Sequence, residues 1–345
     1  MLTNEQIKRI NDIYDINLEM DSVITLDHGD VNESYIVESN SSKFVVKMID
    51  ITEKKKLIDS TENKLLSLYH FSEYIVEQLE DTKHVIPALS KDKLFCHKIN
   101  NQLVMIYPYV DGEAKKNNDI SIKMVEEIAG FLKAMHHKTF SYNENIAIEK
   151  FQGMQHVGHY ILEHSLWGIL KQIPLSKYLY PKLHRIASYV VNNRTTFFQA
   201  IQSIRPLAMC HNDLKPKNVL WQGKETFYVL DWEAAGLFDP IIEQIETALC
   251  WSMTYMNQTI ILDEDKLRSF FSVYPLISSQ NIKNDLLVIF SKWCFWLCFC
   301  LQCYLKNILN IPRLIKHWHP HIQYAITFLT YMMDNDIEKL IMLVE

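Results

Sequence analysis

The sequence predicts an α+β chain in two lobes, an antiparallel-sheet lobe followed by a mainly helical one, and three observations carry that expectation. A chain of 345 residues exceeds one ordinary core, and about two domains is what such a length implies. Short apolar runs bounded by turn residues recur in the amino-terminal third and again between residues 206 and 230. The last hundred residues read as helical throughout, with an apolar content of 48% for the whole chain leaving ample material for burial. The expected boundaries are a lobe over 1–106, a connection over 107–112 and a second lobe over 113–345.

Taken in order, the polar opening Met1–Gln6 carries no signal-peptide pattern and leads into an amphipathic helix. Val23–Leu26, Tyr35–Val37 and Phe44–Met48 read as strands, and Gly29–Ser34 joins the first two. With a single glycine, that hairpin reads equally well as a plain turn or as a cover for phosphate. Lys47 ends an apolar alternating strand, where a charge is costly without a partner. From Thr52 to Tyr69, residues Leu57, Ile58, Leu65, Leu66 and Tyr69 recur at helical spacing, and Glu62 shares their inward face. Leu103–Val110 is a further strand that runs into a turn marked by Pro108 and Gly112.

The chemistry is concentrated in His211-Asn212-Asp213-Leu214-Lys215-Pro216-Lys217-Asn218, followed thirteen residues after Asn218 by Asp231-Trp232-Glu233. Apolar runs at Pro206–Cys210, Val219–Trp221 and Phe227–Leu230 place Asp213 in a loop between strands, Asn218 at the head of a strand and Asp231 at the end of the next. Phosphoryl transfer from a nucleotide needs magnesium on the terminal phosphates and an acidic side chain to orient the attacking hydroxyl. Asp213 suits the second task. Asn218 and Asp231 offer the hard oxygen ligands that Mg2+ prefers.

This set resembles the kinase-like small-molecule phosphotransferases, the family of aminoglycoside phosphotransferases, choline kinases and choline-kinase-like homoserine kinases. The resemblance is specific at HNDLKPKN and DWE, and its order along the chain holds over roughly residues 20 to 250. It implies a protein-kinase-like fold in which 1–106 binds the nucleotide, 107–112 is the hinge, and 113–345 is the helical catalytic and substrate-binding lobe. It further implies that Lys47 holds the inner phosphates and pairs with a glutamate of the following helix, Glu62 first and Glu53 as the fallback. Gly29, Asn32 and Tyr35 reproduce a Gly, Asn and Tyr pattern of the phosphate-covering hairpin. Backbone groups near Tyr107 to Tyr109 would bind a purine, with ATP and GTP both open. Lys215 stands where many members carry histidine, and resembles the lysine that protein-serine kinases place on the transferring phosphate; the expectation is that it stabilises transition-state charge.

A protein kinase would carry an Arg before the catalytic Asp and a long activation segment. Here Asn212 takes that position and Asp231–Pro240 passes directly into a helix near Ile241, so a small hydroxyl-bearing acceptor is expected. Glu233, Asp239, Glu243 and Glu246, with Trp251 beyond, could attract an amine-bearing molecule through charge and cation–π contact. Glu243 and Glu246 equally fit a role complementing a helix dipole. The expected activity is therefore magnesium-dependent transfer of the nucleotide γ-phosphate to a hydroxyl of a small polar, amine-bearing molecule, an aminoglycoside-type antibiotic being favoured. The alternatives are a metabolite kinase for choline-like or amino-acid alcohols, and a non-catalytic nucleotide-binding scaffold.

A net charge of −6 with interspersed signs argues against nucleic acid as a partner. Seven cysteines without disulfide-scaffold spacing make the cytoplasm the expected compartment. Cys294, Cys298, Cys300 and Cys303 read as one buried core helix rather than a metal site, since successive helix faces cannot converge on one ion. The charge-free run between Lys292 and Gln302 is shorter than the roughly 20 residues a bilayer needs, so no membrane is expected. His317, His319 and His321 around Pro320 read as a helix-linking turn, and His156, His159 and His164 as ordinary helix residues. Oligomeric state is not legible.

Overall fold

The computed structural model describes residues 2–26, 32–40, 42–52, 54, 61–152, 179–223, 226–276, 281–308 and 312–337. The hairpin tip at Gly29, the fallback Glu53 and the histidines at 156, 159 and 164 lie outside these residues. The described chain divides into two compact units, one made of 1–114, 139–150 and 211–236, the other of 115–138, 151–210 and 237–345. This differs from the linear division at 107–112, because residues 211–236 group with the amino-terminal sheet. Within the first unit Glu113 and Ala114 pair with Trp221 and Leu220, and Val85 bridges Val229, so these strands are hydrogen-bonded to one another.

In the first unit, helix α1 (Asn4–Tyr14) starts at a capping box in which Gln6 N–H donates to Thr3 Oγ1 and Thr3 N–H donates to Gln6 Oε1. Ile7, Ile10 and Tyr14 recur at helical spacing and bury one stripe. They pack on a five-stranded antiparallel sheet ordered β1-β2-β3-β5-β4, formed by β1 (Ile24–Thr25), β2 (Glu33–Ser39), β3 (Ser42–Asp50), β4 (His97–Ile99) and β5 (Gln102–Pro108). Strand alternation decides where the key lysine points: Val46 and Met48 face the α1 cluster, while Ile49 faces Leu65 and Tyr69 of α2 (Glu62–Glu77). Lys47 therefore falls on the α2 face, opposite Met105 of β5. A second sheet of β6 (Glu113–Ala114), β8 (Val219–Gln222) and β9 (Thr226–Val229) is flanked by the 211–218 loop. Beyond β8 the chain turns at Gly223, whose φ of 71° is a conformation that side chains disfavour.

The second unit is mainly helical. It contains α3 (Ile122–His137), α4 (Leu179–Asn192), α5 (Arg194–Gln202), a short pair of β7 (Ala208–Cys210) with β10 (Gly236–Phe238), and α6 (Pro240–Ser252). After these come α7 (Glu264–Val273), α8 (Ile282–Ile308) and α9 (Pro312–Asp334).

Three expectations are corrected in this unit. The carboxyl-terminal stretch is not helical throughout: β11 (Met253–Met256) and β12 (Thr259–Leu262) form a hairpin whose two-residue turn, Asn257-Gln258, takes φ 52° and 63°. Both central residues with positive φ give the turn that matches strand twist, and Asn tolerates it best after Gly. Pro320 does not end a helix but lies inside α9, where burial of Trp318, Ile322, Ile326 and Leu329 outweighs the lost backbone donor. Finally, the apolar stretch of α8 is longer than the run from Lys292 to Gln302. Residues Ile282–Leu305 reach a mean hydropathy of 1.8, long and apolar enough by composition to cross a membrane, yet 61% of the most apolar window is buried inside the protein. Cys294 and Cys300 are buried there, Cys298 and Cys303 half-buried, and none of the four is in a disulfide, in keeping with a core helix.

Candidate active site

The candidate segment 211–234 is assembled by backbone constraints before its charges matter. β7 leads into His211, which is fully buried, and Asn212 takes the left-handed φ of 65° that Asn tolerates. His211 accepts the Asp213 N–H at Nδ1 (3.2 Å) and donates from Nε2 to the Leu230 carbonyl (3.0 Å), which fixes its tautomer. Asn212 Nδ2 donates to the Ala234 carbonyl at 3.1 Å, and Leu230 N–H donates to Asn218 O at 2.8 Å. These tethers hold the 211–218 loop against 230–234, so Asp213, Asn218 and Asp231 share one end of the β8–β9 pair. His211 is thus a support for the loop, its ring centroid 4.5 Å from that of Trp232.

Asp213 is gripped on both carboxylate oxygens, by Lys215 Nζ at 2.5 Å on Oδ1 and by Asn218 Nδ2 at 2.8 Å on Oδ2. Burial pushes its carboxyl up, but Lys215 and Lys217 outweigh this and hold it below the ordinary aspartate value, so it is ionised at neutral pH. Asn218 Nδ2 also donates to the Asp213 carbonyl at 2.8 Å, which turns Oδ1 away from that partner. Asp231 sits at φ 63°, ψ 57°, an uncommon conformation for a residue with a side chain, and 44% of its side chain is exposed. An amide oxygen and an accessible carboxylate are the hard donors magnesium takes, so the residues present fit that ion.

Lys47 meets Asp231 Oδ1 at 3.0 Å and Glu233 Oε1 at 2.6 Å. Burial pushes its ammonium down, yet the two carboxylates raise it above the usual lysine range. Glu62 is not its partner: that carboxylate pairs with Lys98 of β4 at 2.5 Å, because the first turn of α2 lies beside the sheet edge. Glu233, expected near an acceptor, takes the position beside Lys47 instead. It also accepts from Lys54 Nζ at 2.7 Å, Tyr69 OH at 3.0 Å and Asn32 Nδ2 at 2.5 Å. Burial would raise its pKa, but Lys47 and Lys54 hold it well below the usual carboxylate range. Lys54 and Tyr69 were not legible as site residues, since Lys54 stands in a run of three lysines and Tyr69 reads as core.

The residues expected to form a hinge are partly committed elsewhere. Tyr109 N–H donates to the Lys43 carbonyl at 2.9 Å, which removes that amide from the groups expected to meet a purine. Tyr107 pairs with Val45 in the sheet, and its hydroxyl donates to buried Glu73 at 2.6 Å.

Three of the carboxylates expected to attract an acceptor are engaged within the second unit. Glu243, 2% exposed, meets His136 Nε2 at 2.7 Å, and His136 Nδ1 meets Tyr274 OH at 2.9 Å. Glu246 pairs with Lys292. Asp239 is the N-cap of α6, accepting the Ile241 N–H at 3.2 Å, with Pro240 at the first helical position. These are structural duties. Asp239→Ala should lower stability by about 1 kcal/mol in denaturant unfolding; an unchanged midpoint together with a raised acceptor KM would return the residue to substrate binding.

Nothing in the residue pattern singles out Lys150. Its chain passes beside Gly236, where an added Cβ would come 3.3 Å from Lys150 Cδ, and its Nζ donates to Ser72 Oγ at 2.7 Å. Burial pushes its pKa down to about 7, partly countered by Glu233 and reinforced by Lys54. An unfolded lysine titrates near ~10.4, so the folded state binds fewer protons between these values and stability rises with pH across that window. Lys150→Met should therefore stabilise the protein at neutral pH, and thermal melts should show the gain shrinking toward pH ~10; a pH-independent gain would contradict this.

The model of the phosphotransferase enzyme family matches residues 23–276. Spectinomycin phosphotransferase APH(9)-Ia, solved with ADP and spectinomycin, aligns with a TM-score of 0.59 at 13% identity, covering 96% of this chain and 99% of that one. Choline kinase LicA from Streptococcus pneumoniae aligns with a TM-score of 0.56 at 16% identity, covering 94% and 97%. The GDP complex of wild-type aminoglycoside 2'-phosphotransferase-IIIa aligns with a TM-score of 0.53 at 12% identity, covering 94% and 99%. In sequence, Protein LicA of Haemophilus influenzae is 42% identical over 72 residues, a stretch spanning 18% of this chain and 27% of that protein.

Proposed function

The chain belongs to the phosphotransferase enzyme family, and we propose that it is a small-molecule kinase that transfers the γ-phosphate of ATP or GTP, with magnesium, to the hydroxyl of a small amine-bearing molecule. The observation that carries this reading is the gathering of Lys47, Asp213, Asn218 and Asp231 within one unit, each with a geometry suited to one task. Lys47 presents an ammonium to the inner phosphates. Asn218 and Asp231 would hold the metal, which when bound neutralises phosphate charge. Asp213 orients the acceptor: its ionised carboxylate receives the hydroxyl proton as the oxygen–phosphorus bond forms and the bond from γ-phosphorus to the β-phosphate oxygen breaks. Lys215, held at Asp213, is placed to add positive charge as the phosphoryl group passes.

A choline-type alcohol is the acceptor class the sequence relative favours, since the 72-residue match is to a protein sharing its name with a choline kinase. An aminoglycoside-type acceptor is the second reading, supported by likeness of fold to the spectinomycin and 2'-phosphotransferases. Incubation with each nucleotide, magnesium and a panel of choline, ethanolamine, spectinomycin and kanamycin-type aminoglycosides tests both. Phosphorylated choline or ethanolamine detected by mass spectrometry supports the first, a phosphorylated antibiotic the second, and nucleotide consumption with none of them excludes an acceptor of either class.

A further inference from the structure

We propose that Lys54 and Tyr69 are positioning residues for nucleotide binding, holding the Glu233 carboxylate where it clamps Lys47. The inference rests on the reading of Lys47 as the phosphate-holding residue. Lys47 has two carboxylate partners, and they are not equivalent. Asp231 is exposed and is also a candidate metal ligand, so an oxygen given to a cation is weakened as a partner for an ammonium. Glu233 is then the carboxylate that keeps Lys47 in place when the site is loaded.

A carboxylate alone could not do this, because rotation would carry it between its two lysines. Here each oxygen has two donors: Oε1 takes Lys47 at 2.6 Å and Asn32 Nδ2 at 2.5 Å, while Oε2 takes Lys54 at 2.7 Å and Tyr69 OH at 3.0 Å. All four lone-pair directions are used, so any rotation forfeits hydrogen bonds to a charged group. Tyr69 rises from the buried face of α2, and Lys54 follows β3 with its ammonium 5.9 Å from the Tyr69 ring centroid. The duty expected of Glu62 is thus divided: the helix contributes a hydroxyl, and the acid comes from the segment after Asp231.

The test is calorimetric titration of the full chain with magnesium-ATP and magnesium-GTP. Lys54→Met should weaken binding by about tenfold or more and Tyr69→Phe by a smaller factor, as expected for lost hydrogen bonds to a charged group. Lys54→Arg should recover most of the loss. In a Glu233→Gln background, Lys54→Met should cost little further. Tyr69→Phe, which deletes one oxygen, serves where Lys54→Met fails to fold. Wild-type affinity in both variants overturns the proposal, as does a Lys54→Met loss of equal size in the Glu233→Gln background, which would put Lys54 on the nucleotide itself. A wild-type chain that binds neither nucleotide overturns the functional reading beneath it.

Discussion

Asp213→Asn is expected to lower phosphate transfer by about 10²- to 10⁴-fold, the range general-base catalysis supplies, while nucleotide affinity stays within a few fold of wild type. The substitution is nearly isosteric, and the loop does not depend on the charge: His211 holds the Asp213 backbone, and Asn218 still meets the Asp213 carbonyl. What disappears is the ionised oxygen that Lys215 and Lys217 keep below the ordinary aspartate pKa. Turnover measured under saturating nucleotide, with affinity measured separately, distinguishes this from a folding defect. Equal loss in both quantities would place Asp213 in binding rather than in proton transfer.

Lys47→Met is expected to act on both stability and binding. Lys47 and Glu233 are only 16% and 20% exposed, and removing the cation leaves two carboxylates side by side. Breaking a buried pair in this way costs about 3 kcal/mol at the low end of the usual range, and Lys54 on the far side of Glu233 keeps the effect at that end. The pH dependence has a definite sign. Glu233, held well below its unfolded pKa, contributes stability present above ~4.3 and lost as pH falls further; Lys47, held above its unfolded value, contributes stability present below ~10.4 and lost at higher pH. The penalty of Lys47→Met, read from denaturant midpoints, should therefore be largest between those values and shrink at the acid end. A penalty that persists unchanged at pH ~3 would mean that lost packing, not the ion pair, is responsible.

The sheet lobe was legible because its signals are local. Alternation in Phe44–Met48 puts Lys47 on the correct strand, which the structure extends to Ser42–Asp50, whereas Asn218 closes a short 3-10 turn just before β8 and Asp231 caps another turn two residues beyond β9, so both flank the strands that the apolar runs implied rather than lying on them. The errors come from partners that only tertiary structure supplies. Periodicity correctly gave Leu65 and Tyr69 a buried face, but Glu62 in the first turn finds Lys98 of a strand more than thirty residues away in sequence. The Asn257-Gln258 turn lacks the glycine that usually betrays a two-residue hairpin, so the strands around it passed as helix. Pro320 locally disfavours a helix, a preference that the packing of α9 overrides. For the acceptor, acidity alone was a poor guide: Asp239, Glu243 and Glu246 each satisfy a partner inside the helical unit.

In the proposed reaction a metal-bound nucleotide docks at the carboxylate of Asp231, beside Lys47. Titrating wild type and Asp231→Asn with ATP and with GTP, each with and without magnesium, tests this docking. Magnesium should tighten nucleotide binding in the wild type and have little effect in the variant. The same magnesium dependence in both proteins would show that Asp231 does not hold the metal.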